Sequence, residues 1–270
     1  LLPRPDLLAR LDELRRRPLT LVSSAAGYGK STLASLWLEA WDGPYAWLSL
    51  DDEENDLQQF LNYLLAAITT AVPGACERIQ SLLQQTEPGS IPDLSRHLGN
   101  CLDEIKDALI LVMDNYHLIN EKAVHDLLGA LLAHPPQNLH LMLLTRRDPP
   151  ILTNDLRARG QINEIRTIDL RFTVVEIKVL LESILGRSVD DKTAATIQER
   201  LEGWPAGMRL ISKALKHSGD LDRLLALRHE FHGDLRVFRQ SGQPFKGRID
   251  HGVPAIVCAD PKQVVVLLPV

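Results

Sequence analysis

Residues 19–40 read L-T-L-V-S-S-A-A-G-Y-G-K-S-T-L-A-S-L-W-L-E-A, and this stretch decides the fold. Leu19 to Ser23 is a short, continuous apolar run, the pattern of a strand buried on both faces. Thr32 to Ala40 has helical spacing. Between them small residues let the backbone N–H groups of Ala26, Gly27, Tyr28 and Gly29 turn inward, and the start of the following helix adds a favourable dipole for an anion. Lys30 is placed to neutralise phosphates and the Ser31 hydroxyl to ligate Mg²⁺, with Thr32 closing the cradle. One position departs from G-x-x-x-x-G-K-[ST], since Ser24 stands where the first glycine is expected. The bland alternative is a Gly-rich turn. The strand before it and the helix after it favour a P-loop for a nucleoside triphosphate, ATP or ADP with Mg²⁺.

Working outward, further apolar strands are expected at Tyr45–Leu50, Leu109–Met113 and Leu139–Leu144, with a weaker one over Ile162–Ile168. Leu57–Ala71 repeats apolar residues at helical spacing. Alternation of this kind predicts an α/β fold: a P-loop NTPase with a mainly parallel five-stranded sheet flanked by helices. Thr86–Pro92, T-E-P-G-S-I-P, reads as a break. After Thr173 only helices are expected, at Val174–Leu185, Asp190–Leu201 and Ala206–His217. We therefore divide the chain into an ATPase domain over 1–173, a helical lid over 174–230 and an irregular tail over 231–270.

Two strand ends carry further chemistry. L-I-L-V-M-D-N-Y-H places Asp114 at the end of a buried strand, where a carboxylate holds Mg²⁺ through water beside Ser31; an ordinary strand-capping Asp is the alternative. L-H-L-M-L-L-T-R-R-D-P-P ends in Arg146 and Arg147, and a cation at the C-terminal end of such a strand can sense a γ-phosphate. Arg146 is the favoured candidate against a solvated surface arginine, and Arg147 the weaker one. His229 and His232 in H-E-F-H lack the spacing of a metal pair. Trp37, Trp41 and Trp47, like the three methionines, are expected in the core.

Composition bounds the rest. Of 270 residues 45% are hydrophobic and 24% charged, which fits a globular chain rather than a disordered or membrane one. A net charge of -5 leaves no basic footprint for nucleic acid, so contact with DNA would need another part of the protein. Cys76, Cys101 and Cys258 are odd in number and scattered, which argues against a disulfide framework or zinc site and suits a reducing cytoplasm. No apolar run suits a membrane span or signal peptide, and the absence of an initiator methionine suggests a piece of a longer polypeptide.

Several segments together resemble one family over about Leu2 to Leu227: P-R-P-D-L-L-A-R-L, the P-loop itself, A-W-L-S-L-D-D-E-E-N-D, V-M-D-N-Y-H-L-I, T-R-R-D-P-P, L-R-A-R-G-Q, D-L-R-F-T and G-W-P-A-G-M-R-L. They are similar to the MalT-like, LuxR-type ATP-dependent transcriptional activators, within the signal-transduction ATPases with numerous domains. The resemblance implies that Arg4 and Pro5 lie against the adenine and that Gly203 and Pro205 belong to a lid motif whose proline approaches the base from the other side. It implies an ADP-bound resting monomer, an ATP form that self-associates, and a DNA-binding domain beyond this chain. The position that carries a second, water-activating acid in the family is Asn115 here, and an amide orients water without taking its proton. Slow hydrolysis in a regulatory switch is thus expected, with a hydrolytically inactive scaffold or a turnover ATPase as alternatives. The tail after Phe231 matches nothing in the family pattern.

Overall fold

Apolar strands without polar alternation need cover on both faces, and the computed structural model provides it. The structure describes residues 2, 4–51, 55–76, 79, 90–151 and 153–218. It separates into two compact units. One, built on a sheet, takes in Leu8–Ser23 and Ser31–Ile165; the other, built on helices, takes in the chain up to Leu7, the loop Ser24–Lys30 and the chain from Arg166.

In the sheet unit, β1 (Leu19–Ser23), β2 (Tyr45–Ser49), β3 (Leu109–Asp114), β4 (Leu139–Thr145) and β5 (Ile162–Arg166) lie in the order β2-β3-β4-β1-β5. The pairs β2–β3, β3–β4 and β4–β1 are parallel, with Ser49 opposite Asp114 and Ser23 opposite Thr145. All seven residues of β4 and all five of β1 are buried, as central parallel strands require. Three helices supply cover: α3 (Leu57–Ala71), α4 (Ile91–Asp103) and α5 (Lys122–Ala133), after α1 (Pro5–Glu13) and α2 (Lys30–Leu38). The α3 face of Phe60, Leu61, Leu64, Leu65 and Ile68 is buried in the same core as Leu21, Leu111 and Leu141. Asp56 starts that helix by accepting the Gln59 N–H at 2.9 Å.

The helical unit forms its own core. The short α6 (Thr153–Ala158) still belongs to the sheet unit; in the helical unit α7 (Thr167–Leu170) is followed by α8 (Val174–Leu185), α9 (Asp191–Leu201) and α10 (Pro205–Ser218). Ile177 and Leu181 of α8, Ala194 and Ile197 of α9 and Met208 of α10 are packed together with almost no exposed surface. Burying a side chain of this size contributes about 1.5–3 kcal/mol. Thr173 and Glu176 form a reciprocal capping box at the start of α8, and Asp190 caps α9.

Four expectations need correction. The last strand stops at Arg166 rather than Ile168, because the Arg166 N–H bonds the Asp169 carboxylate at 2.7 Å and turns the chain into α7. The break expected at Thr86–Pro92 ends early: residues 86–89 lie outside those described, whereas Ser90 caps α4 and Pro92 sits in its first turn, where no N–H partner is lost. Cys76 and Cys101 form a disulfide, their Cα atoms 5.3 Å apart. Residues distant in sequence meet because both lie in the core beside α3 and α4, which cysteine spacing alone does not reveal. Trp41 is only half-buried, with Arg15 stacked 5.1 Å from its ring, whereas Trp37 and Trp47 are core residues. His229, His232 and the tail over 231–270 lie outside the described residues.

Candidate nucleotide site

The loop Ser24–Lys30 leaves β1 and runs into the first turn of α2. Gly27 and Gly29 adopt φ of 78° and 81°, a region L side chains rarely enter. A Cβ at Gly29 would meet nothing within 4 Å, so the backbone there faces open space. Tyr28 is buried with 2% of its surface exposed, so its ring is core and only its backbone is available to a ligand. The Lys30 ammonium donates to the carbonyls of Ser24 at 2.8 Å and Ala25 at 3.0 Å, which sets a positive charge on the loop's first residues.

Within the sheet unit, the Ser31 hydroxyl donates to Asp114 Oδ2 at 2.7 Å. These residues are 83 apart in sequence and meet because Asp114 ends β3. Asp114 Oδ1 accepts the Asn115 N–H at 2.8 Å, so the carboxylate is oriented from both sides. Two oxygens of this kind at hydrogen-bond distance suit a hard divalent cation that keeps several waters. Asn115 itself takes the left-handed conformation, φ 60° and ψ 28°, which Asn and Asp tolerate better than other residues. It opens a 3₁₀ turn over Tyr116–Leu118.

At the end of β4, Arg146 is half-buried, and the exposed Arg147 donates to the His117 carbonyl at 3.0 Å and to Asn120 Oδ1 at 2.7 Å. A cavity of about 490 Å³ opens there, lined by Tyr116, His117, Asn120, Thr145 and Arg147 among others, but by neither Ser31 nor Asp114. Tyr116 is buried, and burial raises its hydroxyl well above the usual phenol range. It lies 2.7 Å from His125 Nδ1, and burial holds the His125 imidazole below its ordinary value.

In the helical unit, the Arg4 guanidinium spends its donors on protein groups. Its Nε bonds Glu176 Oε1 at 2.9 Å, its terminal nitrogens bond the carbonyls of Asp169, Leu170 and Arg171, and it lies 5.6 Å from the Phe172 ring centre. Pro5 opens α1 and Pro205 opens α10, both in first-turn positions that suit proline. Thr32 is exposed on α2. The residue that sequence reading passed over is Trp204. Its indole N–H donates to the Ala26 carbonyl at 3.1 Å, and the Ala206 N–H donates to the Gly27 carbonyl at 3.0 Å. A tryptophan between glycine and proline in G-W-P-A-G was the available signal.

With this geometry in view, relatives can be compared. The chain is 35% identical over 215 residues to the HTH-type transcriptional regulator MalT of Serratia proteamaculans, covering 80% of this chain and 24% of that protein. It is 34% identical to the MalT regulator of Vibrio cholerae, covering 79% of this chain and 24% of the relative. The chain is similar to MalT regulators over most of its length, and its fold is that of a P-loop NTPase. It spans about a quarter of the length of the regulators it matches. No protein-family model matches it. Solved structures agree on the fold. A signal-transduction ATPase with numerous domains and a tetratricopeptide repeat sensor, PH0952 of Pyrococcus horikoshii, aligns with a TM-score of 0.59 at 15% identity, over 78% of the module and 30% of that chain. The Walker-type ATPase PABY2304 of Pyrococcus abyssi aligns with a TM-score of 0.52 at 18% identity, over 89% of the module and 76% of that chain. No described helix is long and apolar enough to cross a membrane.

Proposed function

We propose that the chain binds ATP or ADP with Mg²⁺ and serves as the nucleotide switch of a cytoplasmic transcriptional regulator. The observation that carries this reading is the 2.7 Å bond from Ser31 to Asp114, which brings a P-loop hydroxyl to a strand-end carboxylate across 83 residues. Lys30 and the backbone of Ala26 to Gly29 hold the phosphates. Ser31 and Asp114 would hold Mg²⁺, which would supply positive charge against the phosphates. Arg4, Pro5 and Pro205 flank the base through backbone and ring, and Arg146 reads the terminal phosphate. We set the limits of the ATPase domain and the helical lid at residues 173 and 230.

Hydrolysis in this reading is slow, because the Asn115 amide orients water but cannot accept its proton. The ATP form self-associates, and DNA is reached only through a domain outside this chain. A switch acts only through the difference in affinity between its two states, so ATP and ADP must favour different arrangements of the helices. The test is thermal unfolding with millimolar nucleotide and Mg²⁺. Ligand at about a hundred times its dissociation constant adds about 2.7 kcal/mol to wild type and nothing to Lys30→Ala. A wild type whose melting ignores nucleotide overturns the reading.

A further inference from the structure

The P-loop's phosphate donors are oriented by groups outside the P-loop. Two consecutive loop carbonyls are held by the G-W-P-A-G segment: Ala26 by the Trp204 indole N–H at 3.1 Å and Gly27 by the Ala206 N–H at 3.0 Å. Trp204 is 4% exposed, so the ring that carries this donor is fixed by packing around it. The fit is close. A Cβ on Gly27 would come within 2.7 Å of Trp204 Nε1 and 2.8 Å of the Ala206 Cβ. Gly27 thus lacks a side chain for two reasons, its φ of 78° and the indole against it.

A peptide unit is planar and trans, with its carbonyl and the next N–H pointing in opposite directions. No cis peptide occurs among the described residues. Fixing the Ala26 carbonyl toward Trp204 therefore turns the Gly27 N–H away from it, and fixing the Gly27 carbonyl toward Ala206 turns the Tyr28 N–H away likewise. A glycine-containing loop is otherwise free to rotate such a plane at little cost, which would exchange an anion-binding N–H for a carbonyl.

Resting on the nucleotide-binding reading above, we infer that Trp204 is a positioning residue for phosphate binding: its indole N–H locks the Ala26–Gly27 peptide so that loop N–H groups face the phosphates. The base need not touch Trp204 for this, and the effect belongs to the phosphate chain alone. It also makes phosphate affinity depend on the first turn of α10, so that any movement of that helix alters the cradle.

The experiment compares wild type, Lys30→Ala and Trp204→Phe for Mg²⁺-dependent binding of ATP and of inorganic tripolyphosphate, which carries the phosphates without the base. Phe keeps most of the ring and removes the donor. Trp204→Phe raises both dissociation constants by the same factor, about two- to tenfold, the range for one net hydrogen bond. Should Phe lower the melting temperature, replacement by β-benzothienylalanine swaps only the N–H for sulfur and is expected to give the same joint loss. Equal binding of both ligands by wild type and the folded Trp204 variant overturns the inference, as does loss of ATP binding with tripolyphosphate unaffected. Wild-type binding that ignores Lys30→Ala overturns instead the nucleotide reading on which the inference rests.

Discussion

The two ends of the P-loop motif are secured by different physics. At its C-terminal end, Ser31 begins the part of α2 that belongs to the sheet unit and bonds Asp114, the last residue of a strand whose other five residues are buried. Further towards its N-terminal end, Ala26 and Gly27 belong to the helical unit and are held through two hydrogen bonds from Trp204 and Ala206. Lys30 and Ser31 are consecutive, so one peptide bond joins the two regimes. A strand end set by a packed core changes little without global unfolding, whereas a loop held by two bonds responds to local opening. Ser31 is thus anchored by the packed sheet, whereas the Ala26 and Gly27 carbonyls depend on two local hydrogen bonds.

The largest effect expected concerns the rigid side. Asn115→Asp restores a carboxylate beside Asp114 in a left-handed position that Asp also tolerates. Single-turnover hydrolysis rises by about 10²-fold, the lower part of what general-base assistance provides, while ATP affinity stays within about twofold. Affinity is set by the loop and Lys30, which this change leaves alone. Unchanged single-turnover rates would show that Asn115 only shapes the turn, and the assignment of that position would be withdrawn.

The next prediction probes the helical unit alone. Arg4→Ala removes the partner of Glu176 and the donor to three carbonyls, with Arg4 and Glu176 only 15% and 21% exposed. Glu176 keeps the Thr173 N–H, but the lost cation and the three carbonyls left without their donor cost about 1–3 kcal/mol. Hydrogen exchange should therefore quicken over residues 167–177, with β1, β3 and β4 unaffected. Arg4→Lys is not expected to rescue, because an ammonium cannot reproduce the planar fork that reaches Glu176 and the carbonyls together. Uniform loosening of both units would contradict the separation drawn above.

Much of this was legible in the sequence, for identifiable reasons. Continuous apolar runs placed β1 to β4 within one residue at their ends, because strands buried on both faces leave little ambiguity of pattern, whereas the mixed I-N-E-I-R of β5 was placed only within two. The P-loop was legible because its chemistry restricts residue type, and the place of Asp114 at a strand end because an acid follows a continuous apolar run. The limits are equally physical. The disulfide needed a three-dimensional meeting of Cys76 and Cys101 that no spacing rule encodes. The partners of the Arg4 guanidinium, Asp169, Leu170, Arg171 and Glu176, lie more than 160 residues away, which no local pattern encodes. Trp204 was hidden because an indole donor and a core indole look alike in one dimension. The turn at Arg166 was missed because its cause, a single Asp169 carboxylate, competes with a run of β-prone residues.

The smallest effect sharpens the same comparison through pH. His140 is 5% exposed in β4, its Nδ1–H shared between the carbonyls of Arg15 at 2.8 Å and Arg17 at 2.7 Å, while its Nε2 is buried without a partner among the described residues. Protonation would add a buried donor at Nε2, and burial accordingly holds its pKa below the ordinary 6.5, as it does for His125. With the folded value depressed, the unfolded chain binds more protons as pH falls through 6.5, so stability is fully present above that pH and lost below it. Each group contributes a slope of at most about 1.4 kcal/mol per pH unit. Between Arg166 and Leu215 the sequence has no histidine, so the helical unit has no such term in that stretch. Urea melts followed by hydrogen exchange at pH 7.5 and 5.5 should thus show the sheet unit losing protection first, with His140→Gln flattening the slope. If the helical stretch loosens first, or the variant keeps the wild-type slope, buried imidazoles are not what distinguishes the two units in acid.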